Sequence, residues 1–266
     1  MILALSPPGV SILVATSAMG YVLLAGWSAR LGSRSRQSLF LLAWLLHAIS
    51  LAEGLFGEPP RFGFAPALSM TVWLVLTVAA IENQVLPRLH THSYLAGLGA
   101  AAVLLPLVFP GLTYPVIASP WLPLHWALGI ASYGLFGAAV AHGYWMTLAE
   151  KRLRAGDERG AGVPLLTLER LTFRFVEAGF VLLTASLLAG WYFAETVYGP
   201  QLRSMWNHKT IFSMLAWFTF AGLLLGRLNQ GWRGPRAVRV LYLGAGFLLL
   251  SYLGSRFVLE VILMRA

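Results

Sequence analysis

The apolar residues of this chain are gathered into about eight runs of membrane-spanning length, joined by short polar connections. A hydrocarbon core about 30 Å thick needs roughly 20 helical residues to cross it. Inside that core every backbone N–H and C=O must find its partner within the protein. Repeated apolar runs under that constraint lead to an all-α fold, a polytopic transmembrane helix bundle. A soluble core has no use for 58% hydrophobic residues against 11% charged in a chain of 266.

The spans are expected near residues 9 to 29, 38 to 56, 64 to 86, 94 to 109, 122 to 149, 167 to 195, 209 to 228 and 238 to 262. The fourth is short and contains Pro106, ahead of the turn Phe109-Pro110-Gly111. No long polar linker breaks the pattern, so one integral membrane domain over residues 1–266 is expected. The N-terminal MILALSPPGV has no basic stretch before its apolar run and no small-residue cleavage site, and reads as a retained first span.

Charge supplies the orientation. Arg30, Arg34, Arg36, Arg88, Lys151, Arg152, Arg154, Arg159, Arg227, Arg233, Arg236 and Arg239 fall on one side. Only Arg61, Arg203, Lys209, Arg256 and Arg265 fall on the other. The basic side is expected to be cytoplasmic, which puts both termini outside. The formal charge of +9 therefore reads as a topology signal and not as a nucleic-acid face, because the basic residues are dispersed among short loops. With no cysteine, the chain cannot carry disulfides, Fe–S clusters or a covalently attached haem.

Six histidines are available for chemistry. His90 and His92, in PRLHTHS, have no nearby carboxylate and read as surface residues. His47 lies nine residues before Phe56, about 14 Å along the helix axis from its outer end, where an imidazole is costly unless paired or liganded. His125 and His208 each open a span at the outer surface, flanked by Trp121, Trp126 and Trp206. An aromatic belt explains those tryptophans without requiring the histidines. His142 is 17 residues beyond His125, about 26 Å along the helix, so the two cannot share a metal. It reads either as serving the cytoplasmic half or as satisfying a carbonyl beside the small-residue face of Gly134, Ala138, Ala139 and Gly143.

Among carboxylates, Asp157 and Glu158 lie in a loop, and Glu177 follows Arg174 at ion-pairing distance on a helix. Glu53, Glu82 and Glu195 stand near span ends and suggest no paired-carboxylate mechanism. Nucleotide-binding glycine loops, GxSxG and HExxH are absent from the sequence, and the chain is not expected to be an enzyme. A wide apolar bundle with aromatic outer loops and imidazoles near the outer surface meets the demands of haem. The propionates of that cofactor would seek cations such as Arg61, Arg203 or Lys209.

Three segments carry a family resemblance: LLHAISLAEGLFGEPPRFGFAPALSMTVWLVL at 45–76, LHWALGIASYGLFGAAVAHGYWMTL at 124–148, and the stretch from MWNHKTIFS to GSRF at 205–257. They resemble the cytochrome c assembly family of membrane haem-handling proteins (the CcsA/CcmC superfamily), in particular its HemX/YpjD-type branch. The resemblance implies an intramembrane histidine at His47, an outward-facing axial histidine at His125 and a local substitute at His208. His47, His125 and His208 are then the candidate haem-binding histidines, His125 and His208 the candidate iron ligands, with Trp121, Trp126 and Trp206 as haem-facing aromatics. It also implies a bacterial inner (plasma) membrane, with the lipid bilayer, haem and other membrane proteins of a cytochrome maturation or transport complex as partners.

The chain departs from the family pattern in three places. The tryptophan-rich outer loop of haem exporters is reduced to GPQLRSMWNHKT, VLEVILMRA holds no second outer histidine, and Leu225 stands where a second intramembrane histidine is expected. Two readings follow. The first is a haem-binding, haem-handling protein that holds haem noncovalently near the outer face. The alternative is a haem-free accessory or regulatory subunit of a membrane complex, linked to ion transport. An autonomous transporter ranks last, since His47 is nearly the only ionisable midplane residue.

The charge asymmetry predicts that alkaline phosphatase fused near Lys151 is inactive and a cytoplasmic reporter there is active. The opposite result would reverse the orientation and move His125 and His208 to the cytoplasmic face.

Overall fold

A computed structural model describes residues 8–57, 61–85, 92–113, 121–156, 164–192 and 208–262. The helices are α1 (Pro8–Trp27), α2 (Ser33–Phe56), α3 (Phe64–Val85), α4 (His92–Val108), α5 (Trp121–Arg154), α6 (Leu165–Tyr192), α7 (His208–Gln230) and α8 (Gly234–Leu249). The last continues through a π-helical segment at Leu250–Gly254, a short α-helical piece at Ser255–Phe257 and a second π-helical segment at Val258–Ile262. Two short strands, β1 (Arg61–Phe62) and β2 (Leu112–Thr113), pair antiparallel.

Seven helices are long and apolar enough to cross a membrane. The fourth run is the exception. Its apolar part is Tyr94–Val108, and α4 as a whole, 17 residues, measures about 25 Å, short of the hydrocarbon thickness. The chain is thus an all-α polytopic bundle with seven full-length spans and one shorter apolar helix among the described residues.

These elements form two compact units. In the first, which takes in α1, α2, α3 as far as Gln84, α4 and the strands, α1 packs closely on both α2 and α4. The Ser17 hydroxyl donates to the Ala43 carbonyl at 2.8 Å, and Tyr21 is fully buried. The strand pair ties the connection after α2 to the one after α4, with Arg61 opposite Thr113 and Phe62 opposite Leu112. Gly111 makes this approach possible. Its φ is +82°, and a Cβ there would lie 2.6 Å from the Phe62 carbonyl.

The second unit holds α5 to α8 as far as Ser255. Its centre is a stack of Phe136 on Phe220, with ring centroids 3.8 Å apart and planes 7° from parallel. Glycines make room for both rings: a Cβ at Gly179 would meet Phe136 at 3.2 Å and one at Gly244 would meet Phe220 at 2.7 Å. The small face of α5 expected from sequence is indeed buried, from Gly134 through Ala138 and Ala139 to Gly143. The Tyr133 hydroxyl bonds the Leu248 carbonyl and, at 2.8 Å, Ser251 Oγ, so the first π-helical segment begins where a side chain from α5 takes up a freed acceptor.

The Arg174–Glu177 ion pair expected on α6 is not formed, and both side chains are exposed. Glu169, about two turns closer to the helix start than Glu177, is the carboxylate that α7 uses.

Gly244 and Gly246 give a direct test of this packing. Gly244→Ala drives a methyl into the Phe220 ring and should lower stability by about 1–3 kcal/mol. Gly246→Ala meets nothing within 4 Å and should be neutral or stabilising by up to ~1 kcal/mol. Thermal unfolding in detergent separates the two.

Candidate functional site

His125 sits one turn into α5, and α6 determines how its ring is held. Its Nδ1 lies 3.0 Å from the Ser186 carbonyl oxygen. A carbonyl only accepts, so Nδ1 carries the proton and the lone pair is left on Nε2. Ser186 Oγ adds weak contacts of 3.4 Å to Nδ1 and to the His125 carbonyl. One turn further along α6, Gly190 faces the ring. A Cβ there would stand 3.0 Å from Cε1, so the imidazole lies against bare backbone. Ser186 and Gly190 are spaced i and i+4, which places both on the side of α6 that meets α5. Half-buried and with its tautomer fixed through Nδ1, His125 is arranged as liganding histidines usually are.

His208 opens α7 with its side chain exposed. Its neighbour Lys209 places Nζ 5.7 Å from the centroid of the Tyr252 ring. The Phe136–Phe220 stack gives the two histidines a common reference. Phe136 is 11 residues beyond His125 and Phe220 is 12 beyond His208, about 16 and 18 Å along their helices. The two histidines therefore stand at similar axial distances from the stack along their own helices, although neither a hydrogen bond nor a ring contact joins them. Trp126 is half-buried beside His125, Trp121 is the first residue of α5, and Trp206 lies outside the described residues. Among the described residues no group of three or more His, Cys, Asp or Glu could hold a metal ion.

His47 lies in the other unit and in a different environment. It is completely buried, with Nε2 2.8 Å from Ser69 Oγ and Nδ1 at a longer 3.5 Å from the Tyr21 hydroxyl. The Tyr21 ring meets it edge-on at 5.9 Å. One turn earlier, Trp44 stacks on Trp73 at 4.9 Å, and the two indoles close a loop of bonds. Trp44 Nε1 donates to Thr77 Oγ1 at 2.8 Å, Thr77 donates to the Trp73 carbonyl, and Trp73 Nε1 donates to the Trp44 carbonyl at 3.1 Å. His47 is thus a polar contact that joins α1, α2 and α3.

Of the remaining histidines, His142 donates Nδ1–H to the Ala138 carbonyl at 2.8 Å, the carbonyl-satisfying role. His92 begins α4, and His90 lies outside the described residues. Ser186, Gly190, Ser69 and Tyr21, which complete the two histidine environments, are not evident in the sequence. They are ordinary helix residues until the helices are paired, and the i, i+4 small pair at Ser186 and Gly190 is the only hint.

A family model described as "Cytochrome C assembly protein" matches residues 33–263. The "Inner membrane protein YpjD" of Escherichia coli (strain K12) is 28% identical over 267 residues, covering 94% of this chain and 97% of that protein. The "Cytochrome c biogenesis protein CcsA" of Synechococcus elongatus is 30% identical, with 82% and 73% covered. Its namesake in Prochlorococcus marinus is 23% identical, with 86% and 84% covered. No solved structure matches the chain.

If His47 joins helices through hydrogen bonds, His47→Ala leaves the Ser69 and Tyr21 hydroxyls unpaired in the bilayer and should cost about 1–3 kcal/mol. His47→Gln, which can still reach a hydroxyl, should recover much of that. Thermal unfolding in detergent is the measurement, and equal stability of wild type and His47→Ala would contradict the role.

Proposed function

The chain belongs to the cytochrome c assembly protein family, and we propose that it is a haem-binding, haem-handling protein of the bacterial inner membrane. It holds haem noncovalently near the outer face and assists haem delivery without itself being an enzyme. The observation that carries this reading is the seat of His125, where the Ser186 carbonyl takes Nδ1–H and leaves Nε2 as a neutral nitrogen donor. The donor set fits haem, because the macrocycle supplies four nitrogens and the iron needs only one or two imidazoles from the protein.

His125 is the first ligand in this scheme. His208, at a similar axial distance from the stack on α7, is the second candidate, and Lys209 beside it is a cation for a propionate. Bound haem would supply redox-active iron, while the chain's own work is to bind, orient and exclude water. Trp121, Trp126 and Trp206 are the aromatics that would line the macrocycle. His47, with both ring nitrogens engaged, contributes to the fold in this scheme.

An absorption spectrum of detergent-purified protein with a pyridine haemochrome assay tests the proposal. The expected result is a Soret band in stoichiometric yield, lost or shifted in His125→Ala and His208→Ala and unaffected in His90→Ala and His92→Ala. Gly190→Ala pushes on the imidazole without touching the iron and should weaken haem retention about tenfold. An unchanged spectrum in the His125/His208 double variant would remove this site. A wild type without haem would favour the accessory or regulatory subunit of a membrane complex.

A further inference from the structure

The turn between α7 and α8 is more highly ordered than a topology signal needs. α7 ends with Gly231 at φ +63°, where Gly231 N–H bonds the Arg227 carbonyl and Trp232 N–H bonds the Gly226 carbonyl. The Trp232 ring then folds back over Gly226, so closely that a Cβ at 226 would lie 2.4 Å from it. Gln230 Oε1 accepts from the indole N–H at 2.8 Å.

This fixed tryptophan supports a set of guanidinium groups. Arg236 lies over its ring, 4.1 Å from the centroid, and Arg227 lies 3.5 Å over the ring of Phe173. Arg239 Nε donates to the Pro235 carbonyl at 3.3 Å. Among the described residues, Glu169 is the carboxylate that meets two of these groups. Oε1 of Glu169 is 3.2 Å from Arg227 and 3.7 Å from Arg233, and Arg233 remains 70% exposed. Arg236 and Arg239 are also exposed. Two guanidiniums, Arg227 and Arg233, thus share one acid, while Arg236 and Arg239 are held against a ring and a carbonyl. Their side-chain entropy is partly lost before any ligand arrives.

We propose that this turn is a binding site for the phosphate of an anionic phospholipid headgroup. The location argues for lipid, because the turn joins two helices of membrane-spanning length and its arginines stand where headgroups are. The half-buried indole of Trp232 is the interfacial ring that accompanies them. Topology explains why arginine occurs in this loop. It does not explain why two guanidiniums are stacked on rings and a third is shared with a buried-side carboxylate.

The experiment uses the full chain in neutral detergent, titrated with phosphatidylglycerol, phosphatidylcholine or inorganic phosphate, with bound lipid counted by native mass spectrometry and affinity read by thermal shift. Phosphatidylglycerol should bind in preference to phosphatidylcholine, and inorganic phosphate should not reproduce the shift. Each arginine contributes about fivefold to affinity, so the Arg233→Gln/Arg236→Gln pair should weaken phosphatidylglycerol binding roughly twenty-fold. Glu169→Gln should strengthen it about fivefold, because it releases Arg227 and Arg233 from their carboxylate. That gain cannot come from misfolding, which keeps the proposal testable if the double variant folds poorly. Equal binding of the two lipids, an unmoved affinity in the double variant, or loss of binding in Glu169→Gln would each overturn it. Equal potency of inorganic phosphate would reassign the turn to a free anion.

Discussion

Water is absent from the hydrocarbon core, so a polar group placed there must find its partner within the protein. That constraint organises the interior of both units. Thr71, Thr77, Thr172 and Thr184 each turn their hydroxyl back to the carbonyl four residues earlier. Trp44 and Trp73 satisfy each other through Thr77, and Trp217 donates to Thr184 at 2.9 Å. Where the helix changes to π-helical winding after Leu249, Tyr133, Ser251 and Ser255 occupy the rearranged carbonyls. Each such bond between helices is modest, about 0.6–2 kcal/mol, but the alternative is a bare dipole in lipid.

The same rule separates two histidines that look alike in sequence. His47 has hydroxyls at both ring nitrogens and is wholly buried, so its hydrogen-bonding capacity is used in joining helices. His125 has one nitrogen fixed by a backbone carbonyl and is half-buried near a helix end. Fixing one nitrogen is what makes the other a good ligand, since it sets both the tautomer and the ring orientation. Gly190 matters here through what it lacks. A side chain at that position would lever the ring away from Ser186.

Much of the architecture was legible because the bilayer imposes a length scale on the sequence. The apolar runs place the full-length spans to within a few residues, and the brevity of the fourth run, with Pro106 inside it, already sets it apart. The buried small face of α5 was readable from Gly134, Ala138, Ala139 and Gly143 for the same reason. Side-chain partnerships were not readable, because they depend on which helices pair. Arg174 and Glu177 have the right spacing, yet both face away from the bundle, where solvation or lipid headgroups make a fixed pair worth little. The role of Glu169 is not legible in sequence because its partners, Arg227 and Arg233, are some 60 residues away. The seat of His125 was hidden likewise, since the Ser186 carbonyl is a main-chain group that every residue possesses.

On the proposed function, the donors of the described residues suit a macrocycle better than a bare ion. A structural zinc site takes four protein ligands and a catalytic one takes three, commonly His, Cys, Asp or Glu. The described residues offer no such group of three, and the chain has no cysteine. Haem makes a smaller demand, because its iron arrives with four equatorial nitrogens and asks the protein for axial positions only. It also needs an apolar surround, which a membrane bundle provides at no further cost in buried charge. In the proposed scheme His125, near the start of α5, and His208, at the start of α7, would supply those axial positions. A cofactor with an apolar face and two carboxylates would, on the same proposal, keep its ring among side chains and turn its acids toward Lys209 and water.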